Sequence, residues 1–151
     1  MPLFPTWCQV VAMDLSEKML AQAAKKIQKF GLSNVDIVAQ DASAMSFPAD
    51  SFDCVSAAYV ASVVPDPNQF VQEIKRVCRP GGRIVFLNHF KSQNPFLARL
   101  EELSNGLWNK MGWNSNLDLW TLMEENDLRI QNVERVNLFG YWKSVLCINE
   151  K

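Results

Sequence analysis

The sequence has a single histidine, no closely spaced pair of cysteines and no excess of charge of either sign. Its four cysteines are isolated, and Cys54, Cys78 and Cys147 lie within apolar runs. We therefore expect buried free thiols, with no disulfide and no metal site. Basic and acidic side chains number 15 and 16, which gives a net charge of −1. Because the chain has no excess of positive charge to attract phosphates, we expect no nucleic acid partner.

Long apolar runs and targeting signals are also missing. No run reaches the roughly 18 to 20 apolar residues that span a bilayer. The N-terminus has no basic segment followed by an apolar stretch, so it lacks the pattern of a signal peptide. With 151 residues, 48% of them hydrophobic, the chain has the size and composition of one globular domain, residues 1–151. Together these features predict a cytoplasmic protein.

Apolar runs of strand length alternate along the chain with amphipathic segments of helix length. We expect strands over residues 9–13, 35–39, 52–59, 83–87, 128–137 and 141–149. Helix starts are indicated at Ser16, Asp66, Asn94 and Asp118. This alternation predicts an α/β fold, with a mostly parallel sheet and helices on both faces. The short connection through Phe139 and Gly140 predicts that the last two strands form an antiparallel hairpin.

Two acidic side chains follow the first two strands, and ligands bind beyond the carboxyl ends of the strands in such sheets. Asp14 comes directly after the first strand, where a carboxylate can accept two hydrogen bonds from a ribose diol. A simple loop or capping aspartate is an equally open alternative. Asp41 follows the second strand. Its carboxylate can accept from the exocyclic amine of adenine, while the backbone N–H of Ala42 donates to the ring.

Tyr59 and His89 lie at the ends of the next two strands. Tyr59 offers a hydroxyl group or an aromatic face that can stabilise a cationic centre, and a core aromatic is the alternative. His89 follows the strand that ends at Leu87. A histidine there is a candidate for proton transfer, and a structural hydrogen-bonding role is the alternative.

Three segments together resemble the class I S-adenosylmethionine-dependent methyltransferases in their letters, order and spacing. They are VVAMDLSEKML (10–20), VDIVAQDASAMSFPADSFDCV (35–55) and EIKRVCRPGGRIVFL (73–87). Other strings resemble bacterial phosphatidylethanolamine N-methyltransferases. They are AYVASVVPDP (58–67), NHF (88–90), the segment around 111–113 and NLFGYWKSVLC (137–147). The resemblance implies a Rossmann-like fold, S-adenosylmethionine as cofactor, and an enzyme that methylates the amine of phosphatidylethanolamine or a related phospholipid.

The same resemblance implies a role for several residues in holding the cofactor. Asp14 would bind the ribose hydroxyls, the adjacent Leu15 would also contact the cofactor, and Met19 would pack near the adenine. Asp41 would bind the adenine amine, with the backbone of Ala42 beside it. The Arg79–Gly82 segment would be mainly structural, because its glycine pair makes a tight turn that a side chain would obstruct.

An amine acceptor must be neutral to accept a methyl group, so the site needs a base or a route for the proton to solvent. His89 and Tyr59 are the candidate catalytic residues, and Tyr59 is also a candidate for cofactor contact. The segment 91–120, which carries Trp108, Trp113 and Trp120 among basic residues, would form the acceptor pocket. Amphipathic helices of this composition suit membrane interfaces, so peripheral contact with a membrane is expected. A lid helix packed on the core is the alternative.

The sequence departs from the family at its start. In this family a strand, a glycine-rich loop and a helix precede the strand that ends in the ribose-binding acid. Only nine residues precede Val10 and none is glycine, so we expect that first strand and helix to be missing. The missing strand is central in the family's sheet, so its loss would expose two strand edges and favour self-association. A non-catalytic fragment or interaction module is therefore the alternative function. A nicotinamide dehydrogenase is disfavoured, because it too needs a glycine loop.

Overall fold

The computed structural model describes residues 4–89, 118–136 and 142–151. Its elements are β1 (Val10–Asp14), α1 (Glu17–Phe30), β2 (Val35–Ala39), β3 (Phe52–Ala58), α2 (Pro67–Val77), β4 (Cys78–His89), α3 (Leu119–Glu125), β5 (Arg129–Arg135) and β6 (Trp142–Ile148). This order confirms the α/β class. The helix expected to begin at Asn94 and the turn at Phe139 and Gly140 lie outside the described residues. The chain divides into two compact units, Met1–Ser46 and Phe47–Lys151.

The first unit contains β1, α1 and β2. The two strands pair in parallel, with Val10 opposite Val35 and Asp14 opposite Ala39. Helix α1 begins after Ser16, as predicted, although the Ser16 side chain makes no capping hydrogen bond. The helix ends at Gly31, whose φ of 62° lies in the left-handed region that glycine adopts at little cost. The first unit therefore has the strand–helix–strand arrangement expected from the sequence.

The second unit contains a four-stranded sheet in the order β3-β4-β6-β5. Strands β3 and β4 are parallel, whereas β6 is antiparallel to both β4 and β5. Strands β5 and β6 thus form the predicted C-terminal antiparallel hairpin, which is confirmed. Since β6 runs against β4, its first residues lie beside the last residues of β4.

The core of the second unit forms where α2 and α3 pack with the sheet. The carboxylate of Asp66 accepts hydrogen bonds from the backbone N–H groups of Asn68 and Gln69, at 2.9 and 3.0 Å, and so caps α2. Asp118 caps α3 in the same way. The buried apolar side chains include Phe70, Val71, Ile74 and Val77 of α2, Leu122 and Met123 of α3, Cys78, Ile84 and Phe86 of β4, and Val145 and Cys147 of β6. The apolar stripe predicted for α2 is therefore the centre of this core.

Strands β3 and β4 differ from the sequence-based expectation. Strand β4 already begins at Cys78, and its pairing with β3 is irregular between Phe52 and Cys54. The Cys54 side chain is exposed, so the prediction that it is buried was wrong. Among the described strands, β3 is an edge strand of this sheet and pairs with β4 alone. It is therefore less covered than an inner strand. No helix in the described parts of the chain is long and apolar enough to cross a membrane.

Candidate functional site

Asp14 and Asp41 lie at the same edge of the first unit's sheet. Strands β1 and β2 are parallel, Asp14 ends β1, and Asp41 follows β2 by two residues. This adjacency confirms the predicted placement at the carboxyl ends of neighbouring strands. Parallel strands bring their ends together here, which is where a ligand can contact both carboxylates.

Short turns orient both carboxylates. Oδ1 of Asp14 accepts from the backbone N–H of Ser16 at 2.8 Å, and Oδ1 of Asp41 accepts from the backbone N–H of Ser43 at 2.8 Å. Such a bond to the N–H two residues ahead fixes the side chain of an aspartate against its own loop. Each of these bonds uses one oxygen, so the other oxygen can accept from a hydroxyl or amine.

Exposed apolar side chains lie close in the chain to Asp14. Leu15 is 72% exposed and Met19, in the first turn of α1, is 56% exposed. Ala42, beside Asp41, is half-buried. Carboxylates that accept from hydroxyl and amine groups, together with apolar side chains that can cover a purine, make a set of side chains that fits adenosine. The individual ribose and adenine roles stay predictions.

Gln40 is a residue of this loop whose contribution the sequence reasoning missed. Its Oε1 accepts from the backbone N–H of Ser46 at 2.9 Å, and the backbone N–H of Ala44 donates to the Asp41 carbonyl at 3.1 Å. These bonds hold the loop that carries Asp41 and Ala42. A glutamine directly before a candidate binding acid was the available signal, but its bond to the backbone of Ser46 in the same loop cannot be read from spacing.

Tyr59 has an unusual backbone at the end of β3. Its φ is 64°, a left-handed conformation that costs an ordinary residue about 1 to 2 kcal/mol. The backbone N–H of Tyr59 donates to the Leu87 carbonyl at 2.8 Å, which extends the pairing of β3 with β4 by one residue. The side chain is 51% exposed. The Tyr59 ring packs edge-to-face against Trp142, with 4.8 Å between ring centroids and an interplanar angle of 87°.

The end of β4 lies at the same edge of the second unit's sheet. Asn88 is buried, and its Oδ1 accepts from the hydroxyl of Ser62 at 3.3 Å. His89 is the last residue of β4 and lies opposite Trp142 of β6. The His89 side chain, predicted as a base, lies outside what the structure describes. Trp142 and the buried Ser62–Asn88 pair are additions that sequence reasoning missed, because they depend on the register of distant strands.

The two buried thiols are poorly suited to nucleophilic chemistry near neutral pH. Burial raises the pKa of the Cys78 thiol, and it raises the pKa of the Cys147 thiol to about 11. Both groups are therefore protonated near neutral pH, and a protonated thiol is a poor nucleophile. All four cysteines are free, as predicted. Cys78 and Cys147 act as small apolar side chains of the core.

Comparisons with known proteins point to one family. Residues 2–86 match the family model described as a methyltransferase domain. The phosphatidylethanolamine N-methyltransferase of Cereibacter sphaeroides is 37% identical over 136 residues, a match that covers 89% of this chain and 66% of that protein. The ubiquinone/menaquinone biosynthesis C-methyltransferase of Hahella chejuensis is 37% identical over 92 residues. That second match covers 60% of this chain and 37% of the relative.

A solved structure shares the fold. The SAM-dependent methyltransferase from Aquifex aeolicus superposes with a TM-score of 0.66 at 23% sequence identity, over 93% of this chain and 68% of that one. This likeness confirms the Rossmann-like α/β fold. The chain thus spans 66% of one curated relative and 37% of the other.

Proposed function

The chain belongs to the methyltransferase domain family, and from this premise we propose that it methylates the amine of phosphatidylethanolamine or a closely related phospholipid. The cofactor that the family and the fold imply is S-adenosylmethionine. One observation carries the choice of acceptor. The match to the phosphatidylethanolamine N-methyltransferase extends over 89% of the chain, whereas the match to the quinone-pathway C-methyltransferase covers 60%.

The first unit supplies the polar groups that we assign to the adenosine part of the cofactor. In this proposal the Asp14 carboxylate accepts from the ribose hydroxyls, and the Asp41 carboxylate accepts from the adenine amine. Leu15 and Met19 cover apolar surface of the bound nucleoside. Both carboxylates are already held by backbone N–H groups, so little side-chain freedom is lost when the ligand binds.

The second unit supplies the groups that we assign to the acceptor. S-adenosylmethionine, when bound, supplies a methyl group already activated on a sulfonium. The task left to the protein is to align the acceptor and exclude water. We assign deprotonation of the amine to His89 and Tyr59. The imidazole of His89 takes up the proton, and the hydroxyl oxygen of Tyr59 accepts a hydrogen bond from the amine N–H. Tyr59 suits this task by its placement, since its ring is half exposed and its main chain is fixed by the bond to Leu87.

A phospholipid acceptor lies in a membrane, so the proposal includes peripheral contact with the membrane surface by a cytoplasmic protein. Trp120 on α3 is 50% exposed, and tryptophan is well suited to the boundary between lipid and water. Self-association through a strand edge is also proposed. Strand β3, which ends the sheet order of the second unit, is the edge that we assign to it.

Cofactor binding can be tested with aspartate-to-asparagine variants. Asparagine at 14 or 41 keeps an oxygen that can accept from Ser16 or Ser43, so the local turn should survive. Loss of a charged hydrogen-bonding partner, at about 1.5 to 3 kcal/mol, should weaken S-adenosylmethionine binding about ten- to a hundredfold in Asp14→Asn and Asp41→Asn. Asp36→Asn is the matched control, because Asp36 is exposed on β2 away from its carboxyl end. Calorimetric titration measures the binding of S-adenosylmethionine to these three variants and to the unaltered chain.

The acceptor is tested by transfer of a radiolabelled methyl group to vesicles. We expect label in lipid from vesicles that contain phosphatidylethanolamine, and none from vesicles of phosphatidylcholine alone. Label on a quinone-type carbon acceptor instead of the lipid amine would overturn the proposed acceptor. Absence of transfer to every acceptor would contradict the activity itself.

A further inference from the structure

We propose that Trp142 is a positioning residue, which holds the Tyr59 ring in the orientation needed to act on the acceptor amine. The inference rests on the proposed function, which assigns Tyr59 to the acceptor. Trp142 itself is not assigned any contact with substrate or cofactor. It acts through the ring of Tyr59, which it contacts edge-to-face at 4.8 Å between centroids.

The backbone of Tyr59 indicates that something must hold it in place. Three non-glycine residues in the described parts of the chain have a positive φ, namely Asp50, Tyr59 and Asp127. Aspartate tolerates this conformation because its short polar side chain can bond to nearby backbone, whereas a bulky aromatic residue gains no such compensation. A strained tyrosine persists when the surrounding structure over-determines it. Strain of this kind clusters at functional sites.

Two contacts meet that requirement, and they fix different parts of the residue. The backbone N–H of Tyr59 donates to the Leu87 carbonyl at 2.8 Å, which fixes the main chain at the end of β3. The perpendicular packing on Trp142 fixes the ring, with an interplanar angle of 87°. Edge-to-face packing is directional, because the positive edge of one ring meets the negative face of the other. Trp142 therefore selects the orientation of the Tyr59 side chain.

Burial distinguishes this pair from ordinary core packing. The Tyr59 side chain is 51% exposed and Trp142 is half-buried, whereas the core aromatics Phe70 and Phe86 are almost fully buried. A half-exposed, strained aromatic residue contributes little to a core. Its position at the carboxyl end of β3, beside the end of β4, is where ligands bind in α/β sheets. The pair is therefore better explained by the placement of a working ring than by stability.

The topology explains how a distant residue reaches this place. Strand β6 is antiparallel to β4, and its first residue, Trp142, lies opposite His89 at the end of β4. The start of β6 is thus brought to the edge at which β3 and β4 end. Any shift of the β4–β6 register by one residue would turn the side chain at 142 to the other face of the sheet. The β4–β6 register is therefore required for the contact between Trp142 and Tyr59.

The test compares Trp142→Leu and Trp142→Phe with Trp120→Leu, which removes a half-exposed tryptophan of α3. Trp120→Leu is a control for the NMR spectrum alone, because Trp120 is assigned to membrane contact. The chain has two tyrosines, so Tyr141→Phe assigns the Tyr59 ring protons in the NMR spectrum. We expect Trp142→Leu to move these resonances toward the values of an unstructured tyrosine. Trp142→Phe should retain part of the shift, and Trp120→Leu should leave it unchanged.

Kinetics give the second readout. With phosphatidylethanolamine as acceptor, kcat/KM should fall about three- to tenfold in Trp142→Leu, the range expected for loss of one aromatic pair. Trp142→Phe should restore most of the rate. In a Tyr59→Leu background, Trp142→Leu should have no further effect, because a positioning residue acts only through the ring that it positions.

Two results would overturn the inference. One is an unchanged Tyr59 resonance in Trp142→Leu, and the other is an equal loss of rate in the Tyr59→Leu background, which indicates a general structural role. Failure of the proposed function is a different result, namely no methyl transfer by the unaltered chain. The Tyr59 resonances need no turnover, so they separate the two failures.

Discussion

Alanine in place of Gly82 would put a methyl group into space that other atoms already occupy. A Cβ at this position would lie 2.6 Å from Sγ of Cys78, 2.8 Å from the carbonyl oxygen of Arg79 and 3.0 Å from the carbonyl oxygen of Asp53. All three distances are shorter than an ordinary van der Waals contact, and two of them involve backbone atoms. We therefore expect Gly82→Ala to destabilise the second unit.

The size of the effect depends on how firmly the backbone around Gly82 is held. The N–H of Gly81 donates to the Asn149 carbonyl at 2.8 Å, and the N–H of Asn149 donates to the Gly82 carbonyl at 3.0 Å. Moving residue 82 away would disturb both hydrogen bonds. Overpacking costs about 1 to 3 kcal/mol, and each lost hydrogen bond costs about 1 kcal/mol. We expect a loss of about 3 kcal/mol, a large fraction of the roughly 5 to 15 kcal/mol that stabilise a domain.

Urea unfolding followed by circular dichroism measures this loss, with Gly31→Ala as the control. Gly31 also interrupts a regular element, but its φ is 62° and no heavy atom lies within 4 Å of the place that an added methyl group would take. Gly31→Ala should therefore cost only the backbone strain, about 1 kcal/mol. If Gly82→Ala costs no more than Gly31→Ala, the steric reasoning is refuted.

A double variant separates the two causes of the expected clash. Cys78→Ala removes the thiol that lies nearest the new methyl group, but it leaves the carbonyl groups of Arg79 and Asp53 in place. Gly82→Ala should therefore cost about 1 kcal/mol less in the Cys78→Ala background than in the unaltered chain. Equal costs in both backgrounds would assign the whole effect to the backbone.

Two further predictions concern buried groups near the C-terminus. Asn149→Ala should cost about 2 to 3 kcal/mol of unfolding free energy by urea titration, because Nδ2 of the fully buried Asn149 donates to three backbone carbonyls between residues 75 and 79. Asn149→Asp, which keeps the size but loses the amide donors, should not restore it. Burial raises the pKa of the Cys147 thiol from 9.0 to about 11, so the unfolded chain loses the thiol proton at a lower pH than the folded chain does. The free energy of unfolding should therefore fall as pH rises from 9 toward 11. Urea midpoints across this range should decline less in Cys147→Ala.

Helix α2 shows what the sequence can predict. Asp66 and Pro67 begin the helix where capping preferences place it, and Phe70 and Ile74 lie on the face that the structure buries. These signals are local, since a capping residue bonds to N–H groups two and three positions ahead and helical spacing selects one face. The β5–β6 hairpin was predictable for a related reason, because a short connection leaves two strands no choice but to run antiparallel.

The Arg79–Gly82 segment was predicted only in part. Proline followed by two glycines predicts the end of helix α2, which does end at Val77, but β4 begins at Cys78, before the predicted start at Arg83. Backbone hydrogen bonds to Asn149 hold this segment against the C-terminal end of the chain. That partner is distant in sequence, so no pattern within the segment could indicate it.

The candidate site likewise has features that local sequence signals predict and features that they do not. The shared edge of Asp14 and Asp41 was predictable, because two parallel strands joined by one helix must end on the same side. The contact between Tyr59 and Trp142 was not, since it depends on a left-handed backbone and on the register of β6 against β4. Tyrosine is a poor choice for a left-handed position on local grounds, where glycine or asparagine would cost less. A residue that contradicts its local preference and is held by a distant partner is what a functional constraint produces, and this makes Tyr59 a stronger candidate than its residue type alone.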